Sequence, residues 1–223
     1  MKHITPFIIL LLFFTSSCQK ESEKPLCNYT DFYYYKNEPY SLGKMSEEYI
    51  LIGTDTSNSD NAIKTFIQSN AYFDQNFDFK IHKYDNYQYK QITLKLSETR
   101  NCSEIANLLS EIEKNAIVDY AHYTIQTENC SNDIWESMGN RCVNSYSSLF
   151  YVKVKDMNNL SAFYNTIQET NTIIKEQNQF MENWFLLNAD KNSKGDALQM
   201  ANYFYETGLF ASSEPDIIKI AVE

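Results

Sequence analysis

The sequence predicts an α+β protein made of two tandem ferredoxin-like sandwiches, each with the element order βαββαβ. Two observations favour this fold class. Apolar residues recur with the two-residue period of strands in some segments and with the period of helices in others. These segments follow one another as βαββαβ, and the same order returns in the second half of the chain. Both helices of such a unit cover one face of an antiparallel sheet, and we expect the other face to be open to water or to a partner.

The N-terminus has the features of an export signal. A lysine follows Met1, residues 4–14 form an apolar run too short to span a membrane, and small residues separate this run from Cys18. We interpret residues 1–17 as a lipoprotein signal peptide and residues 18–31 as the lipidated cysteine with a polar tether. Cys18 would then anchor the protein to a membrane of the cell envelope, with the outer membrane as one candidate. An ordinary secretory signal with an incidental cysteine is the alternative.

The first domain is predicted over residues 32–128. Apolar residues at i, i+3, i+4 and i+7 from Ile105 mark its clearest helix. Ile92, Leu94 and Leu96 alternate with polar residues, as in a half-buried strand. The full order is a strand at 49–52, a helix within 60–70, strands around 79–82 and 92–96, a helix at 103–115 and a strand at 117–125.

The second domain is predicted over residues 149–223, after a connector at 129–148 that contains a cysteine pair. Asp156 or Asn158 is available to cap its first helix, and Gly208 is placed to end its second helix in a left-handed conformation. The elements are a strand at 150–154, a helix over 160–167, strands at 173–180 and 184–188, a helix over 198–205 and a strand at 210–217.

Four cysteines remain after the signal peptide, at positions 27, 102, 130 and 142. An even number in an exported chain favours disulfides, and four cysteines allow three pairings. Cys130 and Cys142 bracket a short polar segment and are the most plausible local pair. Because no two cysteines have the spacing of metal ligands and histidine is scarce, we predict neither a metal site nor a cofactor.

Charge and composition restrict the function classes. The net charge of −10 argues against nucleic-acid binding, since nothing neutralises the phosphates. Seventeen Tyr and fourteen Phe supply apolar area for compact cores or for an interface.

Histidines do not form a recognisable catalytic group. His82 and His122 both lie in predicted strands, where a surface or packing role is expected. Asp119 and His122 are three residues apart on a strand, so their side chains point to opposite faces. No catalytic site is apparent, and we predict a protein that is not an enzyme.

Several stretches carry a resemblance to a known family. They read FYVKVK at 150–155, WFLL at 184–187 and GDALQMANYFYETGLFASSEPD at 195–216, and FYYYKNE at 32–38 is similar to the start of the same region. Together they resemble the N-terminal pro-region of subtilisin-like serine proteases of Bacteroides-type bacteria. The Glu-Pro-Asp segment of those precursors leads into the catalytic domain, whereas here seven residues follow Asp216.

The resemblance implies a partner and a binding segment. Pro-regions of this class assist the folding of their protease and then inhibit it, with the open sheet face on the enzyme and the C-terminal tail in its active-site cleft. We therefore expect a non-catalytic, membrane-anchored lipoprotein that binds a subtilisin-like serine protease as inhibitor or folding escort. A cell-envelope binding module with no protease partner and a truncated protease precursor are the alternatives. The candidate cleft tail is Ile217, Ile218, Lys219, Ile220, Ala221, Val222 and Glu223.

Overall fold

The computed structural model describes residues 27–131 and 137–222. The expected signal peptide, Cys18 and Glu223 lie outside the described residues. Within those ranges the chain is an α+β protein with antiparallel strands and four α-helices. None of these helices is long and apolar enough to cross a membrane. The strands are β1 (Phe32–Tyr35), β2 (Glu38–Ser41), β3 (Met45–Asp55), β4 (His82–Tyr84), β5 (Tyr89–Lys95), β6 (Tyr120–Gln126), β7 (Cys142–Val154), β8 (Ile173–Gln177), β9 (Trp184–Asn188) and β10 (Phe210–Ala221). The helices are α1 (Asp60–Gln68), α2 (Cys102–Glu113), α3 (Ser161–Thr170) and α4 (Ala197–Glu206).

The strands form one eight-stranded sheet and a separate β1–β2 hairpin. Residues 45–126, here called the N-terminal unit, contribute four strands in the order β6-β3-β5-β4. Residues 142–222, the C-terminal unit, contribute four strands in the order β10-β7-β9-β8. Both units therefore place their fourth strand beside their first. The units are joined where β6 pairs with β7, through Ile125 opposite Asn144 and Gln126 opposite Val143.

Local sequence signals explain where most helices begin and end. The helix α2 starts with a reciprocal capping box between Asn101 and Glu104, which satisfies two backbone N–H groups that would otherwise lack partners. The C-terminal end of α4 is followed by Gly208 at φ +67°, the left-handed position that was predicted for it. By contrast α3 has no side-chain cap, since it begins at Ser161 with Leu160 at the N-cap, and neither Asp156 nor Asn158 caps it. Asp156 instead accepts from the backbone N–H of Asn158 in the preceding turn.

Each unit has its own core between its helices and one sheet face. In the N-terminal unit Ile50 and Ile52, which lie on one face of β3, pack under α1 and α2. In the C-terminal unit Phe150 and Val152 pack under α3 and α4, where Phe204 is fully buried. The same periodicity that defines the elements therefore defines the two helix-facing cores.

Two expected boundaries differ from the structure. The connector expected at 129–148 is shorter, since residues 142–148 belong to β7. This part of β7 is rich in serine, and its hydroxyl groups form hydrogen bonds inside the protein. Ser145 Oγ, for example, donates to the carbonyl oxygen of Tyr123 at 2.8 Å. The strand expected around 79–82 is the short β4, and Phe79 and Ile81 pack against the core from the segment before it.

Two disulfides fix the segments outside the sheet. Cys27 is joined to Cys102, which ties the N-terminal residues to the start of α2. Cys130 is joined to Cys142 and ties the connector to the start of β7.

Candidate functional site

The two sheet faces that the sequence leaves open pack against each other. Tyr89 of the N-terminal unit lies in one cluster with Leu149 and Leu186 of the C-terminal unit. Tyr49 lies in another with Val143 and Val222. Seven residues of the N-terminal unit on this face are at most 8 % exposed; they are Tyr49, Leu51, Tyr89, Gln91, Thr93, Tyr120 and His122. The edge strand β4 leaves larger side chains of this face exposed, at His82 and Tyr84, which pair with Gln91 and Tyr89. The expectation of an open face ready to cover an enzyme is therefore wrong, because the second unit already occupies that face.

A glycine in β3 makes room for an aromatic ring of the neighbouring strand β6. The ring of Tyr120 lies over Gly53, and a Cβ atom built at Gly53 would come within 1.9 Å of that ring. On its other side Tyr120 contacts His122, with 4.6 Å between the ring centroids. A side chain at position 53 would displace this aromatic pair from the inter-unit face.

The candidate cleft tail is not a free segment. Residues 217–221 form the end of β10 and pair with residues 142–146 of β7. Ile217 packs against the helix-facing core of the C-terminal unit, and Ile220 and Val222 pack with Tyr49. The extended conformation predicted for these residues is present, but within the sheet.

The strand β10 has a strand partner on one side only. It pairs with β7 from Phe210 to Ala221, and no other strand of the described residues pairs with it. In an antiparallel ladder, alternate residues direct their N–H and C=O groups away from the partner strand. Pro215 fits this placement, because proline occurs in edge strands and at irregularities, and the ladder is irregular between Pro215 and Ile217.

A groove of about 420 Å³ runs beside the last part of β10, and we call it the edge groove. On one side it is lined by Tyr33 and Tyr40 of the β1–β2 hairpin, and on the other by residues 217–219. Tyr40 is 56 % exposed and offers an aromatic face to a ligand. Lys219 Nζ donates to the carbonyl oxygen of Ser131 at 2.9 Å, which orders the far end of the groove.

The β1–β2 hairpin is held firmly on α4. The ring of Tyr34 stacks on Tyr205 with 4.1 Å between centroids, and its hydroxyl donates to Glu206 at 3.1 Å. Asn202 Nδ2 donates to the carbonyl oxygen of Phe32 at 2.9 Å. Because the hairpin is fixed on the helix, the edge groove is formed before any ligand binds.

The second strand of this hairpin was not predicted from the sequence. The missed strand contains Tyr40, the most exposed aromatic residue of the groove. The sequence signal was Asn37 in the turn between the two strands. Lys36 and Asn37 form this turn, and both have positive φ, at 50° and 67°. A two-residue hairpin turn of type I′ needs this conformation at both positions, and asparagine adopts it readily.

The histidines of the chain are placed differently from each other. His122 is 2 % exposed, and its ring stacks on Tyr146 with 4.4 Å between centroids. Burial lowers the pKa of His122. His82 is exposed at the start of β4, on the opposite edge of the N-terminal sheet from β6. The structure does not bring the two imidazoles together.

An acidic side chain lies within the inter-unit face. Asp216 accepts a hydrogen bond of 2.7 Å from Ser147 Oγ, and burial raises the pKa of its carboxyl group. Burial, and then the charge of Asp216, raise the pKa of Tyr84, Tyr89 and Tyr151. The Glu-Pro-Asp segment therefore directs its aspartate toward the N-terminal unit.

Comparisons with known proteins add little to this geometry. No family model matches the sequence, and no curated protein matches it significantly. Among solved structures, the small subunit of acetolactate synthase from Thermotoga maritima is similar over 78 % of this chain and 95 % of that chain, at 6 % identity and a TM-score of 0.25. A similarity this low carries no argument about function.

Proposed function

We propose that this chain is a non-catalytic binding protein that presents the outer edge of β10 to a polypeptide partner. The observation that carries the proposal is the position of β10, which is twelve residues long and is paired on one side only among the described residues. The edge groove beside it provides aromatic side chains for the partner's own side chains. Strand addition uses this combination, since backbone groups provide affinity and the adjacent groove provides selectivity.

The partner we propose is a subtilisin-like serine protease, which the protein inhibits or escorts. The support is the resemblance to pro-regions over residues 150–216, together with two units that both have the element order and strand order of a ferredoxin-like sandwich. In this proposal residues 217–222 act in place, as a preformed strand. Binding then avoids the entropy cost of ordering a free tail.

We also propose that the protein works at the cell envelope, held to a membrane by lipid on Cys18. The support is the sequence pattern around the cysteine alone. An anchored inhibitor would be concentrated where a protease leaves the cell.

The test is to titrate the soluble form, residues 19–223, into purified subtilisin-like proteases of the same organism and to measure initial rates. We expect slow, tight inhibition. Tyr40→Ala should weaken it by about tenfold, because exposed aromatic residues in a binding groove commonly dominate affinity. Tyr164→Ala is the matched control, since Tyr164 is 51 % exposed on α3 and lies outside the edge groove.

Three results are distinguishable. Inhibition that is lost in Tyr40→Ala and retained in Tyr164→Ala supports the whole proposal. Inhibition that both variants retain would place the protease elsewhere on the surface and reject β10 as the binding strand. If no protease is inhibited, the protease partner is rejected, and the envelope binding module becomes the better interpretation.

A further inference from the structure

A second cavity lies at the junction of the two units, away from the edge groove. Its volume is about 280 Å³, and we call it the junction cavity. One wall is the second half of α2 with the start of β6, and the other is the loop from β9 into α4. The side chains that define its chemistry are Glu113, His122, Asp196 and Lys191.

Glu113 places a carboxylate in this cavity at the end of α2. Its Oε1 atom accepts from the backbone N–H of Ala121 at 3.0 Å, which holds the side chain against β6. Burial raises the pKa of Glu113, and the negative charges of Asp196 and Asp190 raise it further. A positive group placed here would favour the ionised form of Glu113 and so oppose the effects of burial and of the neighbouring negative charges.

Asp196 contributes a second carboxylate from the opposite wall. It caps α4, with Oδ1 accepting from the backbone N–H of Gln199 at 2.9 Å. Its Oδ2 atom accepts from the hydroxyl of Tyr146 at 3.1 Å. These bonds fix the carboxylate in position and leave each oxygen with further accepting capacity.

His122 contributes a third acceptor to the junction cavity, from β6. Nδ1 lies 2.9 Å from the carbonyl oxygen of Tyr146, which only accepts, so Nδ1 carries the proton and Nε2 carries a lone pair. His122 lines the junction cavity, and no described residue hydrogen-bonds to Nε2. Nε2 can therefore accept a hydrogen bond from a donor placed in the cavity.

The lysines of the cavity wall are directed elsewhere. Lys191 Nζ donates to the carbonyl oxygens of Asn115 and Val118, at 3.1 and 2.6 Å. Lys194 Nζ donates to Glu169 at 3.1 Å. Lys191 offsets part of the negative charge at Glu113, but neither ammonium bonds to Glu113 or Asp196. Neither carboxylate of the cavity is therefore neutralised by a direct bond to these two lysines.

We propose that the junction cavity binds a small molecule bearing a primary ammonium group, with Glu113, Asp196 and Nε2 of His122 as its acceptors. An ammonium has three donors and no acceptor, which matches three acceptors from three different elements. The volume lies just below the usual range for drug-sized ligands, so the remainder of the molecule is small. This site is independent of the protease proposal and does not involve the edge groove.

Benzylamine is the probe, and benzyl alcohol is its neutral counterpart of the same shape. Both are titrated into the soluble form, residues 19–223, by calorimetry and by thermal unfolding. We expect benzylamine to bind with millimolar or better affinity and to raise the melting temperature, because the cavity walls come from both units. We expect no binding of benzyl alcohol. The resonance of Nε2 in His122 should move upfield with benzylamine as this nitrogen accepts a hydrogen bond.

Two variants separate the site from a general effect of charge. Glu113→Gln keeps the shape and the acceptor for Ala121, and should weaken benzylamine binding by at least about tenfold. Glu111→Gln removes the same charge from the exposed side of α2, where Glu111 pairs with Lys114, and should leave binding unchanged. The proposal is overturned if benzylamine does not bind, if benzyl alcohol binds equally well, or if Glu113→Gln binds as the wild type does.

Discussion

Ser147 donates a hydrogen bond of 2.7 Å to Asp216 in the layer where the two units meet. The pair joins β7 to the irregular position of β10, and Asp216 is surrounded by tyrosines of both units. A carboxylate in this layer is costly, because burial favours its neutral form. The bond from Ser147 offsets part of that cost.

We predict that Asp216→Asn stabilises the protein at neutral pH. The folded-state pKa of Asp216 lies above its ordinary value of 3.8. In the pH window between these two pKa values, the folded protein keeps a proton that the unfolded chain has lost. Stability therefore falls as the pH rises through the window, and the loss persists above it. Asparagine still accepts from Ser147 and has no proton to lose.

The measurement is urea unfolding of wild type and Asp216→Asn across the pH range. The variant should be the more stable at neutral pH, and the difference should disappear below about pH 3.8. Glu113 and Asp119 also have raised pKa values, and comparing the two proteins at each pH cancels their contribution. A variant less stable than wild type at neutral pH would contradict the prediction.

We predict that the two units unfold together and that Tyr89→Ala weakens both. Tyr89 belongs to the N-terminal unit, but it is packed with Leu149 and Leu186 of the C-terminal unit. Removing a large buried aromatic ring costs about 3–5 kcal/mol. With Trp135→Phe as the common background, tryptophan fluorescence follows the C-terminal unit through Trp184, and circular dichroism follows the whole chain.

Both signals should show one transition at a lower urea concentration in Tyr89→Ala than in wild type. Tyr164→Ala, on the exposed side of α3, should change the midpoint little. Two separate transitions in the wild type would mean that the inter-unit face contributes little to stability.

We predict that both disulfides contribute to stability and that Cys27–Cys102 contributes more. The residues it joins are 75 positions apart, against 12 for Cys130–Cys142. Closing a longer loop removes more entropy from the unfolded chain, which gives about 4.5 kcal/mol for the first and about 3 kcal/mol for the second. Replacing each pair by serine and measuring unfolding by urea tests the order, and a reversed order would contradict the loop-entropy explanation.

Local patterns could predict the elements but not the contact between the units. The spacing around Ile105 and the glycine after α4 define helices within a few residues, so α2 and α4 could be read from the sequence. In β5, Gln91 and Thr93 alternate with Ile92 and Leu94, which is the pattern of a strand with one face in water. The structure buries both faces of that strand.

For the candidate binding strand β10, too, the local conformation could be predicted and the long-range pairing could not. Residues 210–217 could be predicted as extended, because the chain there follows the helix stop at Gly208. The partner of its last part, residues 142–146, is polar and lies far away in sequence, so no local pattern indicates the pairing. The serines of β7 look like a loop until their hydrogen bonds inside the sheet are known.

That pairing changes what a truncation will do. A free tail could be removed without harm, whereas residues 217–222 supply backbone bonds to β7 and three packed side chains, Ile217, Ile220 and Val222. We predict that a chain ending at Asp216 is less stable than the full chain by a few kcal/mol, since it loses the buried Val222 and the partly buried Ile217 and Ile220 together with their backbone bonds, and burying an aliphatic side chain contributes about 1.5–3 kcal/mol. Thermal unfolding followed by circular dichroism measures the loss, and Ala221→Ser, at an exposed position of the same segment, is the control. A truncated chain that melts at the temperature of the wild type would show that β10 beyond Asp216 is dispensable for the fold and would restore the free tail as the binding segment.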